Sequence, residues 1–229
     1  MPLNDETPIT DATIAYVNSV SHRANPPLDA LRAEMAGHPR GFMSVFPVQG
    51  QLLQVLALAM GAKKALDIGT FTGASSTALA QVMPAGAKVV TLDVSEEYAA
   101  VAKRVWKDAG VESKIDLVIG SADKSMETLL AKGEAGTFDI ALLDTSEKKD
   151  YAPFYELALK LLRKGGALVV DNTLYGGRVL PSDARNREPG REGDGARALI
   201  AFNKMVHADA RVTMAMLTIA DGVTIAVKN

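Results

Sequence analysis

The stretch VTMAMLTIADGVTIAVK, residues 212–228, decides the fold. Two apolar, β-prone runs flank Asp221 and Gly222, and an Asp-Gly pair between such runs is a strong signal for an antiparallel hairpin. Upstream, from residue 64 onward, short apolar runs alternate with helical stretches. The hairpin therefore closes a chain that is otherwise built from repeated β and α units.

The apolar runs of that repeat predict five strands. Each run is apolar on both faces, as expected of strands that helices cover on either side. Alternating β and α units imply a parallel, doubly wound sheet. With the closing hairpin, this α/β plan resembles the Rossmann-like methyltransferases, so we expect a mostly parallel seven-stranded sheet. The runs are KALDIG (64–69), KVVTLDV (88–94), KIDLVIG (114–120), FDIALLD (138–144) and GALVVDN (166–172).

Helices are expected between and before these strands. Ser95 has the residue type of an N-cap, and Gly110 that of a helix stop. One helix is therefore expected from Ser95 to Gly110, and a second from Tyr151 to the glycines at 165 and 166. Before the first strand, the sequence predicts helices over 11–36, interrupted at the prolines 26 and 27, and a buried helix over Pro47–Met60. Much later in the chain, the stretch 176–195 is rich in Gly, Pro and charged residues and predicts a mobile loop.

Composition restricts the function classes. The length of 229 residues predicts a single domain. We expect an N-terminal helical segment (1–60) to cover the functional site of an α/β core (64–229). A net charge of −2 gives no electrostatic indication of nucleic-acid binding. The absence of cysteine excludes disulfides and thiolate metal sites. The start lacks the pattern of a signal peptide, and no apolar run is expected to approach the roughly 20 residues that span a bilayer. We expect a cytoplasmic protein without a membrane partner.

The turn after the first strand has the residues of a ligand site. LDIGTFTGASS places Asp67 just before Gly69 and Gly73, and glycines let a ligand approach the backbone. A nicotinamide cofactor is the main competitor, but the G-x-G-x-x-G pattern is absent. A carboxylate at Asp67 suits an ammonium or sulfonium ligand better than a pyrophosphate. A purely structural turn is the alternative.

Acids also end the second and third strands. Asp93 lies 24 residues after Gly69, where a carboxylate can accept hydrogen bonds from both ribose hydroxyls. The alternative is a helix-start acid, although Ser95 already has that role. Residues 121–123 end the third strand and either bracket an adenine or cap the next helix.

Three oxygen-bearing side chains end the fourth and fifth strands. Asp144 follows FDIALL, and Asp171 and Asn172 follow GALVV. Neighbouring strand ends converge, so these side chains are expected to share a cavity. Oxygen ligands without His or Cys favour a hard cation, Mg²⁺ or Ca²⁺, over zinc. The alternative is that each side chain caps its own strand.

Taken together, these motifs resemble the cation-dependent O-methyltransferases, which include the caffeoyl-CoA and catechol O-methyltransferases and bacterial relatives. The resemblance runs from about residue 14 to the end. It rests on GFMSVFPVQGQLL (41–53), ALDIGTFTGASSTALA (65–80), VVTLDVSEEYAAVAKRVWKDAGV (89–111), FDIALLD (138–144) and GALVVDNTLYGGRV (166–179).

The resemblance implies an S-adenosylmethionine site and a metal site. It makes Asp144, Asp171 and Asn172 the metal ligands and puts Met43 and Tyr175 by the acceptor. It also implies a homodimer. The implied cofactor residues are Val45 and Thr70 lining the site, Asp67 at the methionine amino end, Gly69, Phe71, Gly73 and Ser75 in the turn, Asp93 at the ribose, Val94 and Ala122 beside the adenine, and Asp144.

One segment departs from the family pattern. The family reads D-x-D-K-x-x-Y after the fourth strand, whereas DTSEKKDY (144–151) places the tyrosine seven residues on. One inserted residue makes Lys148 the catalytic lysine. If no residue is inserted, counting from Asp144 puts Glu147 at the position where the family has its catalytic lysine. Lys149 is the next candidate for the catalytic residue after Lys148.

The expected function is methyl transfer to a hydroxyl of a small catechol-like acceptor. A divalent ion bound by a vicinal diol lowers the hydroxyl pKa, and a lysine with a depressed pKa takes the proton. Two alternatives stay open: a regulatory or scaffold protein that binds the same cofactor, and a nicotinamide-dependent oxidoreductase.

Overall fold

The computed structural model describes residues 9–229, which form eight α-helices and seven strands. The helices are α1 Asp11–Ser21, α2 Pro26–Met35, α3 Pro47–Ala59, α4 Ala74–Val82, α5 Glu96–Asp108, α6 Ala122–Ala131, α7 Tyr151–Leu161 and α8 Arg191–Ala208. The strands are β1 Lys64–Ile68, β2 Lys88–Asp93, β3 Ile115–Ile119, β4 Phe138–Leu143, β5 Leu162–Val170, β6 Val212–Leu217 and β7 Val223–Lys228.

The strands form a single sheet in the order β3-β2-β1-β4-β5-β7-β6. Strands β1 to β5 pair in parallel, and β7 pairs antiparallel with both β5 and β6. The seven-stranded, mostly parallel sheet and its closing hairpin are therefore confirmed. Because all five parallel strands point the same way, their carboxyl ends lie along one edge of the sheet, where ligands bind in such folds.

Helices cover both faces of the sheet. Apolar side chains of α6, α7 and α8 pack on one face, with Met126 and Phe202 buried there. Side chains of α3, α4 and α5 pack on the other, with Leu53 and Trp106 buried. As predicted, Ser95 caps α5 by accepting a hydrogen bond from the Tyr98 amide, and the prolines at 26 and 27 begin α2.

Three expectations about individual elements were wrong. Helix α7 ends at Leu161, because 162–165 already belong to β5, whose pairing with β4 shifts register between Phe138 and Ile140. Helix α3 is buried on one side only, and Val55 and Leu58 are exposed on the other. Strand β3 is apolar on both faces but lies at the sheet edge, so Val118 and Ile119 are exposed.

The stretch 176–195 contains regular structure. A 3-10 turn covers Ala184–Arg187, and the last five residues form the start of α8. Asp183 caps the 3-10 turn, and the Arg197 guanidinium donates hydrogen bonds to the carbonyls of Asn186 and Glu188. The expectation of a loop is therefore wrong for these residues, where side chains satisfy the backbone of the turn, and the mobility of the stretch stays a prediction.

One segment, Gly41–Ala59, is long and apolar enough to cross a membrane by length and composition. The expectation that no apolar run approaches this length is therefore wrong. The segment is interrupted in the structure, since a 3-10 turn at Gly41–Met43 is separated from α3 by extended residues. Helix α3 has 13 residues and a length of about 20 Å, against a hydrocarbon core of about 30 Å.

Candidate active site

The turn between β1 and α4 presses against the end of β4. Gly69 has a φ of +109°, and a Cβ built on it would lie 1.8 Å from the Asp144 carbonyl oxygen. No other residue fits there without moving the backbone. Gly73 then starts α4 as its N-cap. Glycine at 69 therefore brings the predicted cofactor turn into contact with the first predicted metal ligand.

Asp67 lies inside β1 and is fully buried. Its Oδ2 accepts hydrogen bonds from Ser75 Oγ at 2.9 Å and Thr91 Oγ1 at 2.8 Å. Burial raises the pKa of this carboxyl to about 7, although the two hydroxyls act in the opposite direction. Its Oδ1 is buried and has no hydrogen-bond partner within residues 9–229. A buried acceptor without a partner is the feature that a ligand ammonium group would satisfy.

Asp93 joins the end of β2 to the cofactor turn. Its carboxylate accepts hydrogen bonds from the Phe71 amide at 2.7 Å and the Ser95 amide at 2.8 Å. Each carboxylate oxygen has a second lone pair that remains for a ligand hydroxyl. Val94 is 74% exposed next to it, and Ala122 begins α6 at the end of β3.

A small pocket joins the turn to the N-terminal segment. It brings together seven of the predicted residues and adds Thr72 and Ala74, which the sequence had not singled out. Asp67, Asp93, Val94, Ala122 and Tyr175 do not line it. The lining residues are Met43, Val45, Gly69, Thr70, Phe71, Thr72, Ala74, Ser75 and Asp144.

The three predicted metal ligands adjoin one another at the ends of β4 and β5. Leu143 pairs with Val170, so Asp144 and Asp171 follow at neighbouring positions of adjacent strands. Burial raises the pKa of both carboxyls, and the charge of Asp171 raises that of Asp144 further. Asp171 Oδ1 is buried with no hydrogen-bond partner in the described part of the chain. Two crowded carboxylates and an unpaired oxygen fit a bound divalent cation.

Lys148 reaches this group of side chains from a 3-10 turn at Lys148–Asp150. The side chain is buried, and Nζ donates hydrogen bonds to Asn172 Oδ1 at 2.6 Å, the Thr145 carbonyl at 2.6 Å and the Tyr151 hydroxyl at 2.7 Å. Burial lowers its pKa, while the charges of Asp144 and Asp171 oppose that shift. A lysine with these surroundings can exchange a proton next to the acids.

The two competing residues lie differently. Glu147 forms an ion pair with Arg191 of α8, with 2.6 Å between Oε1 and Nη2. Lys149 is exposed. Among these three residues, the structure turns Lys148 toward Asn172.

Tyr175 packs against α8. Its hydroxyl oxygen would be 3.2 Å from a Cβ built on Gly195, and the Arg178 guanidinium lies 5.3 Å above its ring. Tyr175 is half-buried and has a φ of +49°. Met43, the other residue predicted by the acceptor, lies in the pocket beside the cofactor turn.

Sequence reasoning missed three residues of this region. Tyr151 was used only to count the loop register, yet its hydroxyl holds Lys148. Thr91 looked like an ordinary strand residue, yet it binds Asp67. Asp221 was interpreted only as a turn residue, yet Asn172 Nδ2 donates a hydrogen bond to it at 3.1 Å. The contacts of Thr91 and Asp221 depend on tertiary structure, and no local motif signals them.

Comparisons with known proteins agree with this geometry. Residues 18–229 match the family model described as O-methyltransferase. The chain is 41% identical over 213 residues to the catechol O-methyltransferase domain-containing protein 1 of Mus musculus, covering 93% of this chain and 78% of that protein. It is 34% identical to a caffeoyl-CoA O-methyltransferase of Stellaria longipes, covering 90% of this chain and 85% of that protein.

Solved structures show the same fold. The O-methyltransferase TomG from Streptomyces achromogenes, in complex with SAM, superposes with a TM-score of 0.79 at 29% identity, over 95% of this chain and 96% of that one. An O-methyltransferase from Bacillus cereus in complex with SAH gives a TM-score of 0.81 at 27% identity, over 95% and 97%. These likenesses leave no support for a nicotinamide oxidoreductase. The chain belongs to the O-methyltransferase family and is an S-adenosylmethionine-dependent enzyme of the caffeoyl-CoA and catechol O-methyltransferase type.

Proposed function

We propose that the enzyme methylates a hydroxyl of a small aromatic acceptor with vicinal hydroxyls, and that it needs a divalent cation, Mg²⁺ or Ca²⁺. The observation that carries the proposal is the crowding of Asp144 and Asp171, where Asp171 Oδ1 is buried without a hydrogen-bond partner among the described residues. Side chains that offer only oxygens suit a hard cation. Asp144, Asp171 and Asn172 would hold it.

The chemistry divides between the bound groups and the chain. Methyl transfer from a sulfonium is an in-line displacement, in which the oxygen–methyl bond forms as the sulfur–methyl bond breaks. When bound, the cation would lower the pKa of the acceptor hydroxyl and fix its approach. Lys148 takes the hydroxyl proton at Nζ, and Tyr151 and the Thr145 carbonyl hold that nitrogen in place. Burial favours the neutral amine that this step requires.

The chain orients the cofactor along the carboxyl ends of β1 and β2. In this proposal Asp67 Oδ1 receives the methionine ammonium group, and Asp93 accepts the ribose hydroxyls. Thr70, Phe71 and Ser75 line the turn, with Val45 opposite, and Val94 and Ala122 flank the adenine. The unpaired Asp67 Oδ1 and the position of Asp93 beside the Phe71 amide support this orientation.

Replacing Asp93 with Ala should weaken S-adenosylmethionine binding by roughly 1.5–3 kcal/mol, the scale of hydrogen bonds to a charged group. Isothermal titration calorimetry measures the change. Asp116→Ala is the matched control, because Asp116 is an exposed acid on β3 whose side chain binds Lys88. Undiminished affinity in Asp93→Ala would contradict the ribose assignment.

We also propose a cytoplasmic homodimer that has neither nucleic acid nor a membrane as a partner. Exposed apolar side chains support an interface at the N-terminal elements, since α1 buries none of its residues. These side chains are Ile14, Tyr16, Val17 and Val20 of α1, Phe42, Phe46, and Val55 and Leu58 of α3.

The double variant Val55→Asp/Leu58→Asp should shift a dimer to a monomer, because it places charge in the proposed interface. Sedimentation velocity measures the shift. Met216→Asp on β6, at the far edge of the sheet, is the control and should stay dimeric. A monomeric wild type that floats with lipid vesicles would refute the dimer and indicate a membrane partner instead.

A further inference from the structure

The β6–β7 hairpin turn docks onto the segment that follows β5. The Thr173 amide donates to the Gly222 carbonyl at 3.0 Å, and the Leu174 amide donates to the Asp221 carbonyl at 2.9 Å. The Gly176 amide donates to Asp221 Oδ1 at 2.5 Å, and Asn172 Nδ2 donates to Asp221 Oδ2 at 3.1 Å. One acid in a hairpin turn thus takes part in three of four hydrogen bonds to this segment.

Close packing restricts the backbone of the hairpin turn and of the segment that follows β5. Gly222 has a φ of +81°, and a Cβ built on it would lie 2.6 Å from the Leu174 amide nitrogen. Glycine at 222 therefore lets the turn approach the chain closely. Asn172 itself has a φ of +55°, a conformation that Asn and Asp tolerate better than other residues. The backbone on both sides of the Asn172–Asp221 contact is thus held in place.

The chemistry of its two neighbours fixes which way the Asn172 carboxamide points. The Asp221 carboxylate only accepts hydrogen bonds, so the amide nitrogen must face it. Lys148 Nζ donates a hydrogen bond at 2.6 Å to the other end of the carboxamide, so Oδ1 faces Lys148. Reversal of the carboxamide would break both contacts and turn a nitrogen toward Lys148. Asp221 and Lys148 therefore select the same orientation, the one that presents an oxygen to the site.

We propose that Asp221 is a positioning residue for cation binding: its carboxylate orients Asn172 so that Oδ1 serves as a ligand. This inference rests on the cation dependence proposed above. Partners of metal ligands commonly change metal affinity 10–100-fold when they are replaced. The role is specific because an Asn at 221 would keep its oxygen for Gly176 and turn its own NH₂ group toward the Asn172 NH₂ group.

The test is Mn²⁺ binding to the chelator-stripped protein, measured by electron paramagnetic resonance without cofactor or acceptor. Asp221→Asn should weaken Mn²⁺ binding about 10-fold or more. The double variant Asn172→Asp/Asp221→Asn is compared with Asn172→Asp alone, because Asp at 172 offers an oxygen on either side and needs no partner to orient it. These two variants should bind Mn²⁺ within about threefold of each other. Asp116→Asn, which alters an exposed acid on the edge strand β3, is the control and should bind as the wild type does.

The remaining outcomes separate this inference from the proposed function. A wild type that binds no Mn²⁺ would refute the cation site and, with it, the role of Asp221. A wild type that binds Mn²⁺ while Asp221→Asn binds equally well would refute the role of Asp221 alone. A loss of affinity on Asp221→Asn that is equally large in the Asn172→Asp background would refute the orienting role and show that Asp221 acts only through its charge or through the stability of the hairpin.

Discussion

Asp171→Ala is expected to lower turnover by about 10³-fold or more, because a cation that stabilises developing charge contributes several kcal/mol and each 1.36 kcal/mol is a factor of ten. Asp171 follows β5 beside Asp144, and its Oδ1 is buried without a hydrogen-bond partner within residues 9–229. A methyl-transfer assay with a panel of catechol acceptors and excess Mg²⁺ measures the loss.

The cofactor site should survive this change. Asp171 does not line the pocket at the cofactor turn, so calorimetry should give Asp171→Ala close to wild-type affinity for S-adenosylmethionine. Asp116→Ala provides a matched loss of an exposed carboxylate on the edge strand β3 and should keep full turnover. If Asp171→Ala loses cofactor binding and melts early, the defect is structural, and the assignment of Asp171 as a metal ligand fails.

Lys148→Ala should cut the turnover number about 10²-fold or more, the usual scale for a general base. Lysine removes a proton only as the neutral amine, so wild-type turnover should rise with pH between 6 and 9, and the variant should lose this dependence. Burial lowers the pKa of Lys148 and brings the neutral form closer to that range. Lys149→Ala is the matched control: it is exposed one residue away and should be nearly silent.

Glu147 is the other candidate base, so the turnover of its variant is compared with that of Lys148→Ala. Glu147 is tied to Arg191, so Glu147→Gln should change turnover little. Wild-type turnover in Lys148→Ala across pH 6–9, together with failure of Glu147→Gln, would show that the carboxylate is the base. Cofactor affinity should barely change in either variant, which separates a chemical defect from a binding defect.

The carboxyl ends of the strands could be predicted from the sequence because the residues of each strand themselves show where the strand stops. An apolar run that stops at an acid gives both the strand end and the candidate ligand, as at Asp93, Asp144 and Asp171. The hairpin followed from Asp221 and Gly222 for the same reason. The contact of Lys148 with Asn172 agrees with the register counted back from Tyr151, and the role of Lys148 as the base stays a prediction.

Features that depend on contacts between distant segments could not be predicted. The end of α7 at Leu161 is set by the pairing of Leu162 with Phe138 of β4, which overrides the glycines as stop signals. The exposure of β3 follows from its position at the edge of the sheet and not from its apolar composition. The contact of Asp221 with Asn172 spans 49 residues and leaves no periodicity or motif in the chain.

The most direct test of the central claim is a magnesium titration of protein stripped by a chelator, assayed for methyl transfer from S-adenosylmethionine to a vicinal dihydroxy aromatic. We expect no turnover without the cation and a saturable recovery as Mg²⁺ is added, with Asp171→Ala failing to recover at any concentration. Full turnover in excess chelator, unchanged when Mg²⁺ is added, would contradict the cation-dependent mechanism.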